Sequence, residues 1–87
     1  MSASPDGLIV YGADWCGVTR NTLAHLDEVG APYRYVDVEA DPDAAAWVRD
    51  QNDGMEIKPT IRIGELVLTA PADDELDQAL RERGLLT

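Results

Sequence analysis

The chain has 87 residues, of which 17 are acidic and 7 basic, so its formal net charge is -10. A chain of this length buries only about 60% of the surface that it exposes when unfolded, and we therefore expect a single domain over residues 1–87. The acidic excess disfavours nucleic acids and anionic membranes as partners, because both attract clustered Lys and Arg, and the single Cys16 excludes an internal disulfide.

The beginning of the chain carries no pattern typical of a transport signal. Residues 1–6 lack the basic and apolar regions of a secretory signal. No apolar run approaches the roughly 20 residues that span a bilayer, and no Cys/His group has the spacing of metal ligands. We expect a cytoplasmic monomer with no metal site and no membrane or nucleic-acid partner.

The first half of the chain predicts a strand, a helix and a second strand. Residues 8–11 form a continuous apolar run with a β-branched centre, which is typical of a buried central strand. Apolar residues at helical spacing predict a helix over residues 16–29, which Gly30 ends. Residues 33–38 are rich in aromatic and β-branched side chains and predict a half-exposed strand. Two strands joined by a helix in this way run parallel.

A capping pattern predicts the second helix. Asp41 is a typical N-cap residue, and Pro42 suits the first turn that follows it. Residues 52–54 end the helix. Ala44, Trp47, Val48 and Gln51 lie on one face of this helix.

The end of the chain predicts a β-hairpin and a third helix. Residues 60–63 and 66–69 resemble antiparallel strands, and Gly64 suits the first position of a two-residue type II′ turn between them. Residues 71–74 open a helix that ends at Gly84. Its expected inward residues are Leu76, Ala79 and Leu80. The order β-α-β-α-β-β-α predicts an α/β protein with a thioredoxin-like fold, in which helices flank a four-stranded mixed sheet.

Cys16 is the residue whose position points most clearly to chemistry. It follows a central strand and begins a helix, where unpaired backbone N–H groups and the helix dipole stabilise a thiolate. Open α/β sheets also place functional sites beyond the carboxyl ends of their strands. We therefore expect an accessible Cys16 whose pKa lies below that of a free thiol. Thr19 lies one turn later, where its hydroxyl either donates to the sulfur or belongs to an ordinary helix threonine.

We expect His25 and Trp47 to have structural rather than catalytic roles. His25 follows Cys16 by nine residues, or about 13 Å along a helix axis, which is too far for a general base. We expect His25 at the surface or at the boundary of the core. Trp47 lies on an alanine-rich helix face, and we expect it in the core.

Four segments in the predicted order carry a family resemblance. They are Tyr11-Gly12-Ala13-Asp14-Trp15-Cys16-Gly17-Val18-Thr19, Val36-Asp37-Val38, Lys58-Pro59-Thr60 and Thr69-Ala70-Pro71-Ala72-Asp73-Asp74. Together they resemble the glutaredoxins, in particular the short mycoredoxin-like branch of actinobacteria. The resemblance extends over residues 8–86 and is more specific than the Trp-Cys-Gly triplet alone.

The resemblance implies a thioredoxin-like fold in which Cys16 is the nucleophile, Thr19 assists it, and a cis Pro59 faces it. The alternative for Pro59 is a trans proline at the start of a strand. The implied substrate-binding residues are Trp15, Val18, Lys58, Pro59, Thr60, Asp73 and Asp74. The resemblance also implies that glutathione or mycothiol is the co-substrate, that mixed-disulfide proteins are the partners, and that no prosthetic group is required.

The cysteine motif departs from that of the dithiol family members. Cys16-Gly17-Val18-Thr19 stands where they have Cys-Pro-Tyr-Cys or Cys-Gly-Tyr-Cys, so dithiol catalysis within one chain is impossible. Asp14 also places an acid near Cys16 that we expect to oppose thiolate formation. We predict a monothiol oxidoreductase that reduces mixed disulfides through Cys16 with a low-molecular-weight thiol. The alternatives are a non-catalytic thioredoxin-like adaptor and a homodimer that bridges an iron-sulfur cluster.

Overall fold

The computed structural model describes residues 7–86, in which it has four strands and three helices. The strands are β1 (Leu8–Gly12), β2 (Arg34–Asp37), β3 (Thr60–Ile63) and β4 (Leu66–Thr69), and the helices are α1 (Gly17–Val29), α2 (Pro42–Gln51) and α3 (Asp73–Glu82). Their order is the predicted one. Residues 1–6, in which the sequence predicts no transport signal, lie outside the described residues. Within residues 7–86 no helix combines the length and the apolar character needed to cross a membrane.

The strands form one mixed sheet in the order β2-β1-β3-β4. β1 runs parallel to β2, with Val10 opposite Tyr35, and antiparallel to β3, with Val10 opposite Ile61. β3 and β4 are antiparallel, which confirms the predicted hairpin. Gly64 has a φ of 61° in the turn between them. Since L side chains rarely adopt such a φ, glycine suits this position, as the sequence predicts.

The sheet separates two apolar clusters. Helices α1 and α3 cover one face, where the buried residues are Leu8, Val10, Leu26, Ala31, Ile61, Ile63, Leu76, Ala79 and Leu80. Helix α2 covers the other face, where the buried residues are Tyr11, Val38, Ala44, Ala45 and Val48. Neighbouring residues of β1 alternate between the two clusters because successive side chains of a strand point to opposite faces. The predicted thioredoxin-like arrangement, with helices on both faces of the sheet, is confirmed.

The predicted helix faces hold, and in α2 part of the face is buried. Asp41 caps this helix as predicted, since its Oδ1 accepts a hydrogen bond from the Ala44 N–H at 3.1 Å. The buried residues of α2 are Ala44, Ala45 and Val48, whereas Gln51 in the last turn is exposed. Of the four residues predicted to share a face of α2, Ala44 and Val48 are therefore buried, while Ala45 adds a buried position beside them.

Trp47 lies at the edge of the second cluster rather than inside it. Its ring is half-buried, with its centroid 4.6 Å from that of Tyr11. The Arg62 guanidinium lies 5.6 Å from the same ring centroid. The indole therefore packs against the core as predicted but shares one face with a cation, a favourable arrangement for an aromatic ring.

Candidate active site

Cys16 lies where the chain passes from β1 into α1. It is the N-cap residue of α1, with extended backbone angles, so the helix begins one residue later than the sequence predicts. Its N–H donates to the Ala13 carbonyl at 3.0 Å, and its own carbonyl accepts from the Arg20 N–H at 3.0 Å. The side chain is half-buried. This position leaves the sulfur beside the unpaired N–H groups of the first helical turn.

Four contributions lower the pKa of the Cys16 thiol below its ordinary value. The nearby Thr19 hydroxyl makes the largest contribution, followed by the Thr19 backbone N–H. Partial burial opposes them, while the Val18 backbone N–H and the charge of Lys58 add smaller contributions in the lowering direction. The direction agrees with the expectation from the sequence, because each contribution stabilises the thiolate rather than the thiol.

The Thr19 hydroxyl is a buried group close to Cys16. Thr19 is 0% exposed, and its Oγ1 makes no standard hydrogen bond within residues 7–86. It still lowers the pKa of Cys16, because a thiolate attracts a nearby hydroxyl dipole more strongly than a neutral thiol does. We therefore regard Thr19 as a donor that is used fully only when Cys16 is ionised.

Gly12 at the end of β1 makes room for this threonine. A Cβ atom at position 12 would lie 2.6 Å from Thr19 Oγ1 and 3.1 Å from Thr19 Cβ. Such distances are too short for van der Waals contact, so only glycine lets α1 approach the sheet so closely. The sequence does not reveal this role of Gly12, since nothing in a glycine's neighbours along the chain shows which helix side chain will pack on it.

Lys58 approaches the site from the loop that precedes β3. The peptide bond between Lys58 and Pro59 is cis, as expected from the sequence. Lys58 Nζ lies 5.3 Å from the ring centroid of Trp15 and 3.3 Å from Glu56 Oε1. Trp15 and Val18, which flank Cys16 along the chain, are 62% and 53% exposed. The structure thus places an apolar surface and one cation around the cysteine.

Asp14, which the sequence predicts to oppose thiolate formation at Cys16, makes its hydrogen bonds with other residues. Its Oδ1 accepts a hydrogen bond from the Tyr35 hydroxyl at 2.7 Å, and its carbonyl accepts one from Arg20 at 3.2 Å. Asp14 is not among the groups that shift the pKa of Cys16. That it opposes thiolate formation stays a prediction. Burial, and then the bond to Asp14, raise the pKa of Tyr35, so this phenol stays neutral and donates.

The Thr60 side chain serves the fold. It is fully buried, its hydroxyl donates to the Ile57 carbonyl at 2.8 Å, and it accepts a hydrogen bond from Asn52 Nδ2 at 3.2 Å. Asn52 Oδ1 also accepts from the Thr69 hydroxyl at 2.8 Å. This network ties the end of α2 to the hairpin, so a contact of Thr60 with a substrate would have to use its backbone.

The acids at the start of α3 lie against α1. His25 Nε2 lies 2.8 Å from Asp77 Oδ1, and His25 Nδ1 lies 3.6 Å from Asp73 Oδ2. The imidazole is only 15% exposed, which is the boundary position that we expect. Asp74 Oδ1 accepts from the N–H of the following residue at 3.0 Å. Within the described residues, the observed contact of Asp73 is thus with His25 and not with Cys16.

Comparison with known proteins agrees with this geometry. The family model described as Glutaredoxin matches residues 8–68, a range that contains Cys16, Thr19 and Lys58. Mycoredoxin 1 from Corynebacterium glutamicum is 41% identical over 56 residues, which cover 64% of this chain and 68% of that protein. The chain belongs to the glutaredoxin family. This glutaredoxin is therefore a thiol-disulfide oxidoreductase, and its single cysteine is consistent with the monothiol type.

Solved structures show the same fold for this glutaredoxin. The glutaredoxin-like protein NrdH-redoxin from Escherichia coli superposes with a TM-score of 0.73 at 21% identity, covering 82% of this chain and 91% of that one. The solution structure of glutaredoxin from Brucella melitensis superposes with a TM-score of 0.63 at 26% identity, covering 90% of this chain and 80% of that one. Both likenesses agree with the thioredoxin-like arrangement of the sheet.

Proposed function

We propose that this glutaredoxin reduces mixed disulfides between proteins and a low-molecular-weight thiol by a monothiol cycle at Cys16. The Cys16 thiolate attacks the sulfur of the small thiol and releases the protein thiolate, which takes up a proton. A second small thiol then attacks the Cys16 mixed disulfide. This step regenerates the Cys16 thiolate and releases the disulfide of the small thiol, so one free small thiol is consumed for each mixed disulfide reduced.

The observation that carries this proposal is the environment of Cys16. The thiolate is the attacking species in exchange, and Thr19, the first turn of α1 and Lys58 all stabilise it. Cys16 is half-buried, and Trp15 and Val18, one residue before it and two after it, have exposed side chains. A disulfide substrate can therefore approach the sulfur over an apolar surface.

The remaining residues receive supporting roles in this proposal. Trp15 and Val18 contact the substrate, and the backbone around Lys58, Pro59 and Thr60 aligns it. Asp73 and Asp74, at the start of α3, hold the small thiol. The contact of Asp73 with His25 supports a fixed position for this helix start.

The co-substrate that we favour is mycothiol rather than glutathione. The relative that supports this choice is Mycoredoxin 1, which is 41% identical to this chain over 56 residues. Glutaredoxins generally need no prosthetic group for such an exchange, and we propose none here. The protein partners are mixed-disulfide proteins.

Replacement of Cys16 tests the cycle. Cys16→Ser should abolish reduction of a peptide mixed disulfide and leave the fold intact, since the hydroxyl cannot form the intermediate disulfide. In the wild-type protein the alkylation rate of Cys16 should reach half its maximum below about pH 8.5, the value for a free thiol. Full turnover in Cys16→Ser would refute the mechanism. A wild-type protein that is alkylated as expected but reduces no mixed disulfide would support the adaptor.

A further inference from the structure

Glu56 joins two cations on the Lys58 side of the active site. Its Oε1 lies 3.3 Å from Lys58 Nζ, and its Oε2 lies 3.0 Å from Arg49 NH1. The Lys58 side chain is only 15% exposed, and its Nζ also stands over the Trp15 ring. The charge of Lys58 acts on the Cys16 thiol. A chain of ionic contacts from Arg49 through Glu56 to Lys58 therefore ends beside the nucleophile.

The contact of Glu56 with Lys58 affects how an anionic substrate is attracted to the site. Lys58 is the cation that an anionic group on a thiol substrate would meet near Cys16. Glu56 already occupies one side of that ammonium group and offsets its charge, and it does the same to Arg49. A substrate carboxylate would have to compete with Glu56 for these donors. The negative charge of Glu56 also weakens the positive potential that would attract the carboxylate.

We propose that Glu56 is a specificity-determining residue, which offsets the charge of Lys58 beside Cys16 and so favours neutral thiol substrates over those that carry a carboxylate. The inference rests on the proposed function in taking Cys16 as the nucleophile. It also deepens that function, because glutathione carries carboxylates and mycothiol does not. The charge of Glu56 therefore favours mycothiol over glutathione as the co-substrate.

Alkylation by two matched reagents tests this proposal directly. Iodoacetate and iodoacetamide form the same bond to sulfur, but only iodoacetate is charged. The ratio of their rates at one pH is independent of the fraction of Cys16 that is ionised, and Cys16 is the only cysteine in the chain. Glu56→Gln keeps the shape of the side chain and removes its charge. We expect the ratio of the iodoacetate rate to the iodoacetamide rate to rise about two- to four-fold, the effect of one charge at about 5 to 10 Å in water.

Glu65→Gln is the matched control for the charge change. Glu65 is exposed in the turn between β3 and β4, two residues after Ile63, which pairs with Leu8 at the start of β1. Cys16 follows the other end of that strand. Glu65→Gln changes the net charge by the same amount and should leave the ratio almost unchanged. Low salt, about 10 mM, keeps the Debye length near 30 Å, so that both variants are compared without strong screening.

A second variant shifts the ratio in the opposite direction. Arg49→Gln leaves Glu56 with less compensation, so the ratio of the two rates should fall by a similar factor. Its control is Arg83→Gln, because Arg83 lines the same depression as Glu65. This pair of variants tests the proposal even if Glu56→Gln does not fold.

The results separate this inference from the proposed function. Equal changes in Glu56→Gln and Glu65→Gln, or a lower ratio in Glu56→Gln, would overturn the role of Glu56. If wild type reduces mixed disulfides while the ratio does not respond to Glu56→Gln, only the inference fails. If the ratio responds to Glu56→Gln but the wild type has no turnover, the effect of the Glu56 charge at Cys16 is confirmed and the proposed function fails. If the protein is active, Glu56→Gln should raise kcat/KM for the mixed disulfide of N-acetylcysteine relative to kcat/KM for that of N-acetylcysteine amide.

Discussion

The Thr19 hydroxyl offers a test in which reactivity and stability change in opposite directions. Thr19→Val replaces the hydroxyl by a methyl group of nearly the same size and keeps the β-branched shape. The hydroxyl is fully buried and makes no standard hydrogen bond within residues 7–86, yet it is the largest cause of the lowered pKa of Cys16. Its removal should therefore make Cys16 less reactive and the folded protein more stable.

The expected magnitudes follow from the cost of a buried polar group. A buried hydroxyl without a partner costs about 1 to 3 kcal/mol, so Thr19→Val should raise the free energy of unfolding by about 1 kcal/mol when Cys16 is a neutral thiol. A hydrogen bond to a charged group is worth about 1.5 kcal/mol at the low end of its range. Because Cys16 is only half-buried, we expect its alkylation rate at neutral pH to fall about three- to ten-fold.

The gain in stability should depend on pH with a definite sign. A thiol whose pKa is lower in the folded state stabilises the fold above its unfolded pKa, and this contribution is lost as the pH falls through the folded pKa. Thr19→Val weakens that contribution. The variant's advantage should therefore be complete at about pH 6 and smaller at about pH 9, above the ordinary thiol value.

Urea unfolding at both pH values and iodoacetamide alkylation provide the measurements. Thr22→Val is the control, because Thr22 is also buried on α1 and is not among the groups that shift the pKa of Cys16. It should leave the alkylation rate unchanged. An unchanged rate in Thr19→Val would refute the contact with the thiolate, and a loss of stability at about pH 6 would show that the hydroxyl has another partner.

Two further substitutions test the helix start and the contact between α1 and α3. Thr19→Cys places a second sulfur one turn from Cys16, so mild oxidation should form an internal disulfide. Mass spectrometry detects this disulfide as the loss of two hydrogen atoms. A variant that only dimerises would contradict the placement of Cys16 at the helix start. The hydrogen bond to Asp77, with smaller effects of Asp77 and Asp73 charge, raises the pKa of His25. Protonated His25 therefore stabilises the fold below about pH 6.5, and this stabilisation is lost as the pH rises through the raised pKa. Asp77→Asn should lower the unfolding free energy by about 1 kcal/mol more at about pH 6 than at about pH 9, whereas equal losses at both would show that the charge of His25 does not matter.

Local patterns in the sequence were sufficient for the order of the elements. The apolar run of β1 and the apolar spacing of α1 and α3 depend on periods of two and of about 3.6 residues, which neighbours along the chain reveal. The Asp41 cap and the turn at Gly64 also depend on adjacent residues. Cys16 was identified for the same reason, since a strand followed by a helix predicts the exposed helix start without any distant contact.

The surroundings of the cysteine were decided by tertiary structure. Tyr35 and Asp14 are 21 residues apart along the chain and meet because β2 pairs beside β1. His25 and Asp77 are 52 residues apart and meet where α3 packs on α1. Periodicity shows which face of an element is buried, but not which side chain lies opposite.

The close approach of Gly12 to Thr19 and the position of Glu56 between Arg49 and Lys58 depend on ångström-scale packing of α1 and of the loop before β3. Charge pairing at this scale is set by the distances between atoms, and residue types alone do not encode those distances. The sequence by itself therefore determined the fold and the position of the cysteine at a helix start. Only the tertiary structure decided which groups surround that cysteine and how their charges are paired.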